Sequence, residues 1–188
     1  MAESMPHFFI AVPLPDPVRK VLHREAEQLR GRVPYKQWPH PEDYHITLAF
    51  LGGAGFHKIN ELKKTVGLAV KDCDPSELTL NGLGTFGKKD QPRVLWAGVS
   101  ADQKLFDLQN QVYEACVSVG FELDKRPYKP HITLAKKWKT NEKLDRGILN
   151  EVTVEPLSWE VNGIVLYQIH PRRIPKYQPL KILPLGVD

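Results

Sequence analysis

Apolar residues fall along this chain in two rhythms, every second position or every third and fourth, and their order sketches a fold. Near the start "HFFIAVPL" is a β-rich run bounded by proline, which predicts a strand. Next, "PDPVRKVLHREAEQLRG" sets Val18, Val21, Leu22, Ala26 and Leu29 at helical spacing and stops at Gly31. The proline-rich "RVPYKQWPHPED" reads as a connection into a second strand, "YHITLAFLG". A second helix follows in "HKINELKKTVGLAVKDC", with Ile59, Leu62, Val66, Ala69 and Val70 on one face. "ELTLNGLGTFG" and "PRVLWAGVS" predict strands around the turn-like "KKDQP". The helix in "ADQKLFDLQNQVYEACVSVG" is expected to open from Ser100 as N-cap and to close at Gly120. "RPYKPHITLAKK" carries another strand, "NEKLDRGIL" a shorter helix, and "LSWEVNGIVLYQI" and "KYQPLKILPL" two closing strands. This mixed order predicts an α+β protein.

The pentapeptide "HITLA" occurs twice, at 45–49 and at 131–135, so its two histidines stand 86 residues apart. Under the same shift Phe9–Val12 falls on Leu95–Gly98, and Leu22 falls on Leu108. Even the approaches rhyme, "PYK" at 34–36 and "PYKP" at 127–130. The expectation is an internal duplication. It gives two similar lobes packed about a pseudo-two-fold axis. Equivalent strands then meet face to face, with the two His-x-Thr strands in a central cleft. Residues 1–188 form one domain of two intertwined lobes, with the duplicated units near 7–52 and 93–137.

Alternation along a strand separates the letters of the repeat. His45 and Thr47 share one face and Ile46 and Leu48 the other; His131 and Thr133 are set against Ile132 and Leu134 in the same way. A cleft lined by two imidazoles and two hydroxyls suits in-line displacement at phosphorus. Imidazole titrates near neutral pH, so one ring can hold a proton while the other accepts one. The threonine hydroxyls can donate to anionic oxygens. A cyclic phosphate is a natural substrate, because its ring oxygen is a poised leaving group. No metal or other cofactor is required: zinc wants three or four protein ligands, and no HxxxH, HxH or paired Cys supplies them. His40, the nearest third ligand, lies in a loop between Pro39 and Pro41.

Composition narrows the picture. With 26 Lys and Arg against 22 Asp and Glu, the formal charge of +4 favours anionic partners mildly. The two cysteines, Cys73 and Cys116, lack CxxC spacing and read as reduced, partly buried thiols. No apolar run approaches the ~18 residues of a membrane span, and Phe8–Val12 is too short for a signal core. The expected location is cytoplasmic, with no membrane contact and no obligate protein partner.

Taken together, "FFIAVPLP", "YHITLAFLG", "RVLWAGV", "RPYKPHITLAK" and "YQPLK" resemble the 2H phosphoesterase superfamily. Within it they look like the 2′-5′ RNA ligase branch, whose members are described as RNA 2′,3′-cyclic phosphodiesterases. The resemblance implies two pseudo-symmetric lobes, each an antiparallel sheet backed by helices, and hydrolysis of a 2′,3′-cyclic phosphate at an RNA 3′ end to a 2′-phosphate; on the residues alone a small cyclic nucleotide is equally open as the substrate. It implies His45 as proton donor to the leaving oxygen, His131 as proton acceptor from water, and Thr47 and Thr133 as phosphate holders. The near-equivalence of the halves leaves those two histidine roles open on the residues alone. Family members often carry Arg where this chain has Lys136, which keeps the charge without the bidentate fork.

Lys136 and Arg126 are further candidates for the RNA backbone, and Phe50 and Tyr177 for stacking on a base. Alternation turns Phe50 away from His45 unless a bulge intervenes. Two alternatives stand beside the hydrolase: 2′-5′ ligation at the same site, with a 5′-hydroxyl replacing water, and a non-catalytic binder of phosphorylated RNA 3′ ends.

Overall fold

The first apolar run forms β1 (His7–Pro13), and Phe8 to Val12 are all buried, as befits a strand covered on both faces. The computed structural model describes residues 5–186. Helix α1 (Asp16–Leu29) buries Val18, Leu22, Ala26 and Leu29 of the five positions its periodicity marks and leaves Val21 partly buried. Helix α2 (Phe56–Val70) likewise buries Ile59, Leu62, Val66 and Val70. The third helix, α3 (Gln103–Ser118), starts from Asp102 rather than Ser100, because β5 (Pro92–Ala101) runs on past Ser100. The Asp102 carboxylate accepts the Leu105 N–H at 3.4 Å and the Ser76 hydroxyl at 2.6 Å. Gly120, at φ +86°, ends the helix as expected.

The strands form one nine-stranded antiparallel sheet whose two halves each run through four strands. One runs β3 (His45–Gly53), β1, β8 (Gly163–Ile169), β9 (Tyr177–Pro184). The other runs β6 (His131–Trp138), β5, β4 (Ser76–Gly87), β7 (Ser158–Val161). They meet edge to edge, not face to face, through the antiparallel pair Ile46–Ile132 that joins β3 to β6.

The lobes exchange segments. The proline-rich connection hides β2 (Tyr35–Gln37), which pairs with β6 of the other lobe at Tyr35–Trp138 and Gln37–Lys136. "LSWEVNGIVLYQI" breaks at Asn162 into β7 and β8, which lie in different lobes. Helix α4 (Arg146–Asn150) fills the short helical stretch.

The repeat is less regular than a single shift of 86. Val12 pairs with Ile46 and Ala97 with Ile132, so the first strands match one residue short of it. The helices keep it, with Leu22, Ala26 and Leu29 matched by Leu108, Val112 and Ala115, all buried. The second lobe carries one extra residue between strand and helix.

Candidate functional site

On β3 and β6 the apolar letters face inward: Ile46, Leu48, Ile132 and Leu134 are buried, while His45, Thr47, His131 and Thr133 are half-buried. The Ile46–Ile132 pair fixes how the two strands meet. In antiparallel register the flanking positions set His45 across from Thr133 and Thr47 across from His131. All four side chains therefore gather on one face, at the seam between the lobes.

Each ring is oriented by the carbonyl two residues before it. His45 Nδ1 lies 2.7 Å from the Asp43 carbonyl, and His131 Nδ1 lies 2.7 Å from the Lys129 carbonyl. A carbonyl only accepts, so Nδ1 carries hydrogen in both rings and Nε2 is left to take or give a proton. In the neutral ring the Thr47 hydroxyl donates to His45 Nε2 at 3.0 Å. Burial pushes His45 down to about 4; the Asp43 carbonyl opposes this, and the Lys136 charge adds to it. His131 is lowered by burial too, against its Lys129 carbonyl bond and with the charges of Lys129 and Lys136. In both rings burial therefore favours the neutral form.

A matched pair of bulges sets the next residue. Ala11 pairs with Thr47 but Ile10 with Ala49, which passes over Leu48. Trp96 pairs with Thr133 but Leu95 with Ala135, which passes over Leu134. Leu48 and Ala49, like Leu134 and Ala135, are therefore both buried, and alternation resumes one residue late. Phe50 and Lys136 consequently fall on the histidine face. For Phe50 this overturns simple alternation. Its ring is 55% exposed and stands edge-on to His7 at 6.4 Å, at the rim rather than against His45. Lys136 is half-buried; its pKa is lowered by burial and then by Lys176 and Lys137, and its charge acts on both histidines.

Aromatic rings wall each imidazole. Phe9 lies 4.7 Å from the His45 ring and Tyr177 stands edge-on to it at 5.2 Å. Phe86 stands edge-on to His131 at 4.8 Å, with Trp96 at 6.3 Å and the Lys129 ammonium 4.7 Å from the Trp96 ring centre. Sequence reasoning included Tyr177 but passed over Phe9, Phe86 and Trp96, whose strands read simply as core. Trp96 had a signal: it lies flat over Gly84, where a Cβ would sit 2.2 Å from the indole, so the glycine in "LTLNGLGTFG" marks a close approach. Asp43 was also missed. Its buried carboxylate accepts the backbone N–H groups of Lys176 (2.9 Å) and Tyr177 (3.1 Å), tying the start of β9 to His45. Arg126 does not join the site; its exposed guanidinium closes on Asp124, with Nε 2.8 Å from the carboxylate, and holds that carboxyl down to about 2.

Among the described residues, no three His, Cys, Asp or Glu side chains gather to hold a metal ion. His40 instead accepts the Glu42 N–H at 3.2 Å and caps a single 3-10 turn, Pro41–Asp43. Among the described residues, no helix is long and apolar enough to cross a membrane. Cys73 and Cys116 are free thiols.

Comparison with known proteins places this geometry in context. The family model for the 2′-5′ RNA ligase superfamily matches residues 14–173. An RNA 2′,3′-cyclic phosphodiesterase of Geobacillus stearothermophilus is 39% identical over 95% of this chain, which spans 57% of that protein's length. The Bacillus subtilis protein of the same name is 32% identical, over 96% of this chain and 97% of its own. Among solved structures, E. coli LigT complexed with 3′-AMP superposes with a TM-score of 0.77 at 26% identity, covering 97% of this chain and 99% of that one. Thermus thermophilus TT0787 gives 0.75 at 26%, covering 97% and 100%.

Proposed function

The chain belongs to the 2′-5′ RNA ligase superfamily of 2H phosphoesterases, and we propose that it hydrolyses RNA 2′,3′-cyclic phosphate termini to 2′-phosphates by two-histidine acid–base catalysis. One observation carries this reading: two His-x-Thr strands are paired at Ile46–Ile132, and each histidine ring is held at Nδ1 by its own i−2 carbonyl, which leaves Nε2 for proton transfer. Relatives bearing the name of that activity support it.

The phosphate sits between the rings, with its oxygens held by Thr47, Thr133 and the Lys136 ammonium. His131 Nε2 takes a proton from water as the water oxygen attacks phosphorus. The P–O3′ bond breaks on the opposite side, the P–O2′ bond stays, and His45 Nε2–H gives its proton to the 3′ oxygen. Turnover leaves His45 neutral and His131 protonated, and exchange with solvent restores both. The anionic phosphate supplies the opposite charge that the buried His45 ring needs to hold its proton. The same residues act without a metal, so chelation leaves the reaction intact.

An RNA oligonucleotide ending in a 2′,3′-cyclic phosphate, incubated with the protein and EDTA, is expected to give a 2′-phosphate. His45→Ala and His131→Ala should each slow turnover by about 10²–10⁴-fold. Absence of turnover by the unaltered protein, or full activity in either variant, sinks the assignment.

A further inference from the structure

A groove of about 660 Å³ opens beside the histidine site, between α1, the segment from β2 to Asp43, and the residues leading into β9. Its inner end is formed by Asp43, Lys136 and Tyr177, the same residues that border His45, so groove and site are continuous. Its lining also includes Trp38, with Arg30 at its ring, and the lysines Lys36 and Lys176. We propose that this groove binds the nucleotide on the 5′ side of the reacting one, with its base on Trp38 and its phosphate among the lysines, so that the protein prefers an oligonucleotide end to a cyclic mononucleotide.

The proposal rests on the reaction above, because that reaction fixes the direction. With His45 protonating the 3′ oxygen, the ribose lies on the His45 side and the water on the His131 side. The chain that continues 5′ from that ribose leaves on the side where the groove begins. The volume is within the range of about 300–1,000 Å³ that small-molecule sites occupy.

Charge points the same way. The groove's two carboxylates are already engaged: Glu27 pairs with Arg30 Nε at 3.0 Å, and Asp43 accepts the Lys176 and Tyr177 N–H groups. Among the described residues, Lys36, Lys136 and Lys176 have no carboxylate within ion-pair distance. The groove therefore presents ammonium groups with nothing to neutralise them, matching a phosphodiester. Trp38 is half-buried, and its Nε1 donates to the Tyr35 carbonyl at 3.2 Å. The Arg30 guanidinium lies 5.6 Å from its ring centre. An indole fixed in this way is a rigid platform, and stacking on it accepts any base.

The test is a titration of two ligands that carry the same terminal group and do not turn over, a 3′-phosphorylated RNA trinucleotide and a 3′-phosphorylated mononucleotide. The trinucleotide is expected to bind at least about tenfold tighter, the worth of one good stacking contact. Trp38→Ala should remove most of that margin and Trp38→Phe should keep it. Lys36→Ala, which alters an exposed side chain, should narrow the margin and flatten the salt dependence by roughly 0.7 in logarithmic slope. Should Trp38→Ala fail to fold, Lys36→Ala decides. Equal affinities in the unaltered protein, or a margin untouched by these variants, overturn the proposal. A trinucleotide 2′,3′-cyclic phosphate that binds with the margin but is not hydrolysed refutes the reaction and upholds the groove.

Discussion

His45 and His131 each have a backbone carbonyl at i−2 that holds Nδ1 and leaves Nε2 as the ring nitrogen able to exchange a proton. The carbonyls belong to Asp43 and Lys129, themselves related by the repeat, so the device was duplicated with the strand. Burial makes these rings costly to protonate, and that has a sign. The unfolded chain protonates His45 near pH 6.5 and the folded protein near 4. Between those values the unfolded state binds more protons, so the free protein loses stability as the pH falls from about 6.5 towards 4. Urea unfolding at pH 7 and pH 5 should show the loss, and His45→Gln should reduce it. An unchanged pH slope in the variant would place the titrating group elsewhere.

At the scale of the element, the bulges at Leu48 and Leu134 do what the five-letter repeat does not declare. They bury two consecutive apolar residues and turn Phe50 and Lys136 to the histidine face. The β4–β5 hairpin contributes differently: Gly84 leaves room for the Trp96 indole, which helps wall His131. Gly84→Ala puts a methyl into that ring, and overpacking of this kind costs about 1–3 kcal/mol. A shift of the urea midpoint in that direction, with a fall in activity, is expected. A variant as stable and active as the parent would mean that Trp96 moves freely and has no part in shaping the site.

At the scale of the whole molecule, the two His-x-Thr strands come together where the two halves of the sheet join. The join is the Ile46–Ile132 pair, reinforced by β2 crossing to β6. On the proposed mechanism the two imidazoles serve one bond-breaking event, so their losses should not add. The double variant His45→Ala/His131→Ala is expected to be no slower than the worse single one, measured by single-turnover hydrolysis. Rates that multiply would show independent roles. Much of this was legible in the sequence. Hydrophobic periodicity located the helices, the repeated "HITLA" marked the two strands that meet at the seam, and two-residue alternation separated His and Thr from their apolar neighbours, because these are local consequences of backbone geometry. What only the tertiary structure decided is relational. The edge-to-edge join, the bulges that redirect Phe50 and Lys136, the three-residue β2 and the aromatic walls from Phe9 and Trp96 depend on pairing between residues distant in the chain. A strand's own pattern says which side chains share a face, but only its partner strand fixes what that face meets.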